Sequence, residues 1–102
     1  SGLAYRRGSL ADAVHFAQQA QQTIPESATP ALTLGQLYFE MGDYEKSAEA
    51  WRTLLNRPFP RPEWVLGLAR SLLFIQSEKL PSERNLTDIN DLIEQAKRSI
   101  PN

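Results

Sequence analysis

The stretch MGDYEKSAEAW, residues 41–51, contains the predicted end of one helix and the start of the next. Gly42 can adopt the left-handed conformation that commonly ends a helix, and Asp43 is a preferred N-cap residue. Beyond Asp43, apolar and small residues recur at spacings of three and four, the pattern of a helix with one buried face: Tyr44, Ser47, Trp51 and Leu54. The stretch therefore predicts the tight corner of a helical hairpin.

The same pattern occurs 34 residues earlier in the chain. Counting back from Gly42 reaches Gly8, and the same step takes Trp51 to Ala17. Gly8 and Ser9 are therefore predicted to form a second helix stop and start, with Ser9 as the N-cap. A two-helix unit that recurs at this period is the signature of a repeat protein.

A third copy of the pattern lies near the end of the chain. Its apolar positions follow those of the first unit 76 residues downstream, eight more than two periods: Leu86, Ile89, Ile93, Ala96 and Ile100. The sequences QAQQTIP, residues 19–25, and QAKRSIP, residues 95–101, are also alike. We therefore predict an insertion within residues 76–85, as a short helical extension followed by a loop.

Prolines mark the first helices of the second and third units. Thr29 followed by Pro30 predicts an N-cap and a helix that runs to Met41. Pro62, after the stiff linker 58–61, predicts the corresponding helix of the third unit. The residues before Gly8 are too few for a complete first helix, so we expect a fragment of a longer array.

Composition narrows the function classes. The 102 residues are 41% hydrophobic and 23% charged, as in an ordinary globular domain. With a net charge of -1, the chain lacks the excess of basic residues that is typical of nucleic-acid-binding proteins. The absence of cysteine fits both a bacterial cytoplasm and a periplasm, so the compartment is undetermined. Apolar runs are far shorter than the roughly 20 residues that span a bilayer, so direct membrane insertion is not expected.

The middle unit resembles a tetratricopeptide repeat at the following positions: Leu34, Gly35, Tyr38, Gly42, Asp43, Tyr44, Ala48 and Trp51. The resemblance extends over one domain, residues 1–102, as a partial repeat at 1–27, a complete repeat at 28–61 and a diverged repeat at 62–101. It departs from the family pattern where Ala31 replaces the frequent Trp and Leu54 replaces Ala, and Trp64 lies one residue early. The resemblance implies an all-α fold, in which antiparallel helix pairs stack into a right-handed superhelix with first helices lining a groove.

The resemblance also implies which residues face that groove: Tyr5, Arg6, Leu32, Gln36, Phe39, Glu40, Leu66, Arg70, Leu73 and Phe74. Most are apolar, and Arg70 and Arg6 are placed against Glu40. Such a channel suits an extended peptide or an amphipathic helix. The alternative is that these side chains contact missing repeats, a neighbouring copy or one another.

Residues capable of chemistry are few and scattered. His15 is the single histidine and lacks visible partners, so we interpret it as a surface residue. Asp88, Asp91 and Glu94 have the spacing of a solvated face at a helix start. Asn85-Leu86-Thr87 matches a glycosylation acceptor, but also suits capping of the last helix. With no phosphate-binding loop, nucleophile elbow or ligand set, we expect no enzyme activity, no metal and no cofactor.

The sequence therefore predicts a non-catalytic scaffold that binds a partner polypeptide in the groove. The alternative is a structural spacer or self-association segment of a longer repeat array, for example in a bacterial envelope, secretion or polysaccharide-export protein. In that case homo-oligomers would form through exposed repeat ends.

Overall fold

A computed structural model describes the backbone of residues 2–99 and the side chains of residues 8–98. Within this part the chain is all-helical and contains no strand. The helices are α1 (Gly2–Thr23), α2 (Thr29–Glu40), α3 (Tyr44–Leu55), α4 (Pro62–Ser77) and α5 (Thr87–Ser99), with a 3₁₀ turn at Pro81–Glu83. Each helix packs on the next along the chain, and α2 also contacts α4.

The corner between α2 and α3 has the predicted structure. Gly42 has a φ of 82°, in the left-handed region that favours glycine. Asp43 is the N-cap of α3, and its carboxylate accepts the backbone N–H of Lys46 at 3.3 Å. The backbone N–H of Asp43 donates to the carbonyl of Tyr38 at 2.9 Å, which closes the end of α2. Three residues, 41–43, thus reverse the chain.

Helix α1 is continuous through Gly8, so the predicted stop and start at Gly8–Ser9 is wrong. Gly8 lacks the positive φ that ends α2 at Gly42. A glycine inside a helix costs only about 1 kcal/mol relative to alanine. Because α1 packs on α2 through Val14 and Ala17, tertiary packing outweighs this local weakness.

Helix α2 begins one residue earlier than predicted. Thr29 is its first residue rather than its N-cap, and the N-cap position is Ala28, which makes no side-chain capping bond. The hydroxyl of Ser27 accepts the backbone N–H of Thr29 at 3.3 Å instead. Proline in the first turn, which lacks an N–H, still suits this helix start. Helix α4 begins at Pro62, as predicted.

The core centres on Trp51 of α3, which is 7% exposed. A Cβ built on Gly35 of α2 would lie 2.8 Å from Cε2 of the indole, and a Cβ on Gly67 of α4 would lie 2.6 Å from it. Real Cβ atoms do not approach ring atoms so closely, because such contacts are strongly repulsive. Both helices therefore pack against the same ring at a distance that only glycine allows.

Two buried serines connect the same three helices. The hydroxyl of Ser47 donates to the carbonyl of Gly35 at 2.6 Å, and that of Ser71 donates to the carbonyl of Gly67 at 3.1 Å. The two Oγ atoms are 3.0 Å apart, and Trp51 Nε1 donates to Ser47 Oγ at 3.2 Å. No buried side-chain polar atom among the described residues lacks a partner. The network removes the free-energy penalty of burying these groups.

Arg57 ties the connection after α3 to the connection between α1 and α2. Its guanidinium donates to the carbonyl oxygens of Glu26 at 2.8 Å, Ser27 at 2.9 Å and Pro25 at 3.4 Å. Bonds from a charged donor are stronger than neutral ones. The two connections, about thirty residues apart in sequence, are thereby held together.

We predict that Gly67→Ala destabilises the chain by about 1–3 kcal/mol, because the new methyl group would overlap the buried indole of Trp51. Urea unfolding followed by circular dichroism measures the effect. The matched control is Gly8→Ala, since no atom lies within 4 Å of a Cβ at Gly8. Alanine there should be neutral or should stabilise α1 by up to about 1 kcal/mol. Equal stabilities of the two variants would contradict the close packing at Trp51.

Candidate functional site

A groove lies between α2 and α4, with Trp51 of α3 among its lining residues. Its wider part, which we call the hollow, has a volume of about 850 Å³ and lies toward the N-terminal ends of both helices. A narrower part of about 500 Å³ continues to Phe39 and Glu40. The residues that line both parts are Gln36, Trp51, Gly67 and Arg70.

The walls of the hollow are mainly apolar. Leu32 of α2 and Leu66 of α4 line it, and Leu66 is 43% exposed. Trp64 also lines the hollow and packs against the core around Trp51. Apolar surface that remains accessible in a concave site is the usual property of a ligand or peptide site.

Three aromatic rings form a cluster beside the narrower part of the groove. The ring centroids of Phe39 and Tyr44 are 5.1 Å apart, those of Phe39 and Phe74 are 5.0 Å apart, and those of Tyr44 and Phe74 are 5.0 Å apart. The guanidinium of Arg70 lies 4.4 Å from the centroid of Phe39. A cation over an aromatic face is attracted by the ring quadrupole, so this contact positions the Arg70 charge in the groove.

The structure brings most of the predicted groove residues together. The groove is lined by Leu32, Gln36, Phe39, Glu40, Leu66 and Arg70. Phe74 belongs to the aromatic cluster, whereas Leu73 is exposed without lining either part of the groove. Tyr5 and Arg6 lie outside the residues whose side chains are described.

Sequence reasoning missed several residues of the site. Arg61 and Glu63 line the hollow, although the pattern placed them in a linker and a helix start. Gly67 is the second glycine that packs against Trp51. It was not predicted, because it does not lie 34 residues after Gly35. The glycine itself could have indicated this contact, because glycine is unfavourable inside a helix unless another group packs closely against the backbone.

The polar residues considered for other chemistry lie apart from the groove. His15 is exposed, and its Nε2 lies 3.3 Å from the side-chain nitrogen of Gln19. Asp88, Asp91 and Glu94 are exposed on α5. Among the described residues, no group of three or more His, Cys, Asp or Glu side chains is placed to hold a metal ion.

Asn85 takes part in the start of α5. Its side-chain oxygen accepts the backbone N–H of Thr87 at 3.0 Å, and its own backbone N–H donates to the side chain of Gln76 at 2.8 Å. These bonds support the capping interpretation of the Asn85-Leu86-Thr87 sequence.

Comparisons of this chain with protein-family models, curated proteins and solved structures gave no match. No helix in the described part is both long and apolar enough to cross a bilayer. The fold and the groove define the chain as a repeat-like, all-helical protein whose helices pack consecutively. Its function is inferred from the chemistry of the groove.

We predict that Phe39→Ala lowers the free energy of unfolding by roughly 2 kcal/mol, because it removes two aromatic pairs and the ring beneath Arg70. Denaturant unfolding gives the value. Phe16→Ala is the control, since Phe16 is 67% exposed and should change stability by no more than about 0.5 kcal/mol. Similar losses in both variants would show that the cluster does not hold α2 and α4 together.

Proposed function

We propose that this chain is a non-catalytic binding module that holds a segment of a partner polypeptide in the groove between α2 and α4. The observation that carries the proposal is the open, apolar hollow above the buried Trp51, with the fixed charge of Arg70 at its inner end. Buried apolar anchors supply most of the affinity of such interfaces, while charges select orientation.

We infer that the helices are stacked as tetratricopeptide-like hairpins in a right-handed superhelix. Support comes from the tight corner at Gly42–Asp43 and from glycine packing against Trp51. Further support is that α1 packs on α2 and α3 packs on α4, so each second helix contacts the next hairpin. In this arrangement α2 and α4 are the first helices of adjacent hairpins.

The chemistry of the groove defines the kind of segment that fits it. Leu32 and Leu66 offer apolar contact for one large apolar side chain in the hollow. Arg70 offers a charged donor to an acidic group about one helical turn away. The exposed amide of Gln36 can both donate to and accept from the backbone of an extended peptide. A segment with an apolar residue close to an acidic one meets all three requirements.

Selection from a phage-displayed library of random peptides tests this function. With the chain immobilised, we expect enriched peptides that share an apolar residue followed or preceded closely by Asp or Glu. Leu66→Glu should weaken binding of a selected peptide at least about tenfold, because it places a charge in the apolar wall. Fluorescence polarisation with the labelled peptide measures the affinity.

The matched control is Leu80→Glu. Leu80 is 66% exposed and lies next to the 3₁₀ turn, outside the groove, so this variant should bind the peptide with unchanged affinity. Circular dichroism should show the same helicity in both variants. A library that yields no common sequence, or equal binding by both variants, would refute the groove as a peptide site.

A further inference from the structure

Phe59, in the connection between α3 and α4, combines two unfavourable properties. It is 95% exposed, so its ring makes almost no contact with its own chain. Its φ is 57°, the one positive φ of a non-glycine residue within the described part of the chain. Bulky residues avoid this region because Cβ approaches the backbone closely.

The chain is restricted on both sides of Phe59. Pro58 and Pro60 flank it, and since a residue before proline prefers extended backbone with a negative φ, the positive φ of Phe59 runs against this preference as well. Arg57, just before Pro58, is fixed by its bonds to the connection between α1 and α2. The chain thus presents a large apolar ring to solvent on a stiff support, with no gain from burial in its own core. Strain of this kind is typical of functional segments.

The hollow lies close to Phe59 along the chain. Arg61, two residues after Phe59, lines it, as do Glu63 and Trp64. An exposed apolar side chain and an apolar concavity therefore lie within a few residues of each other along the chain. Arg61 and Glu63 add exposed charges of opposite sign to the rim of the concavity. When a projection and a cavity that accepts it lie on one patch, two copies can pair about a twofold axis.

We propose that Phe59 anchors a twofold-symmetric dimer, in which the Phe59 ring of each copy enters the hollow of the other. Leu32, Trp64 and Leu66 would surround the inserted ring. The same symmetry brings Arg61 of one copy toward Glu63 of the other, twice per dimer. Burial of an exposed aromatic anchor supplies affinity, and the paired charges fix the orientation.

The dimer and the partner peptide would compete for one hollow. Dimerisation would then cover the peptide site when no partner is present, and a bound partner would release the second copy. The proposal does not require peptide binding to be correct, since both interactions use the walls of the hollow but only the dimer uses Phe59.

Sedimentation equilibrium of the 102-residue chain over a wide concentration range tests the dimer. The chain should be in concentration-dependent monomer–dimer equilibrium, and Phe59→Asn should weaken dimerisation at least about tenfold. Asparagine tolerates a positive φ better than phenylalanine, so the melting temperature of the dilute variant should not fall. Phe16→Asn, which removes another exposed ring, should dimerise like the unaltered chain.

A charge exchange tests the twofold geometry. Arg61→Glu and Glu63→Arg should each weaken dimerisation, because each places like charges opposite one another across the axis. The double variant should restore dimerisation.

A chain that stays monomeric at every concentration, a Phe59→Asn variant that dimerises normally, or assembly into open higher oligomers would overturn the proposal. Peptide binding by Phe59→Asn should remain equal or become tighter, which separates failure of the dimer from failure of the peptide site.

Discussion

The close packing of two glycines against one indole is the constraint on which the rest of the structure depends. Gly35 and Gly67 bring the backbones of α2 and α4 within a distance of Trp51 that any Cβ would prevent. This approach allows the buried hydroxyl of Ser47 to reach the carbonyl of Gly35 on α2 and the hydroxyl of Ser71 on α4. Apolar packing and hydrogen bonding therefore specify the same arrangement of three helices.

The same packing forms the floor of the groove. Trp51 and Gly67 line both parts of the groove, where the backbone of α4 packs against the indole. The walls then come from residues one turn away on each helix, such as Leu32 and Arg70. At the other end, Phe39 and Phe74 close the gap between α2 and α4 with aromatic contacts.

Much of this could be predicted from the sequence, because the informative residues have strong local preferences. Gly42, Asp43 and Pro62 mark helix ends through their own backbone chemistry, and the structure places helix ends there. Gly8 has the same intrinsic preference as Gly42, but burial of Val14 and Ala17 keeps α1 continuous. Arg61 and Glu63 could not be assigned to the hollow, since their position depends on how α4 sits against α2. Helix ends could be predicted from the residues themselves, whereas the groove residues of α2 and α4 were predicted to lie together only through the resemblance to a known repeat.

Trp51 belongs to both the core and the groove, so binding in the groove is coupled to the stability of the fold. The floor of the groove cannot vary without loss of packing, since Trp51 is buried against two backbones and bonded to Ser47. The walls are less restricted, because Leu66 and Arg70 are both exposed. Specificity for a partner is therefore expected to reside in the walls. Any occupant of the hollow contacts both α2 and α4, so it favours their packed arrangement and raises the free energy of unfolding.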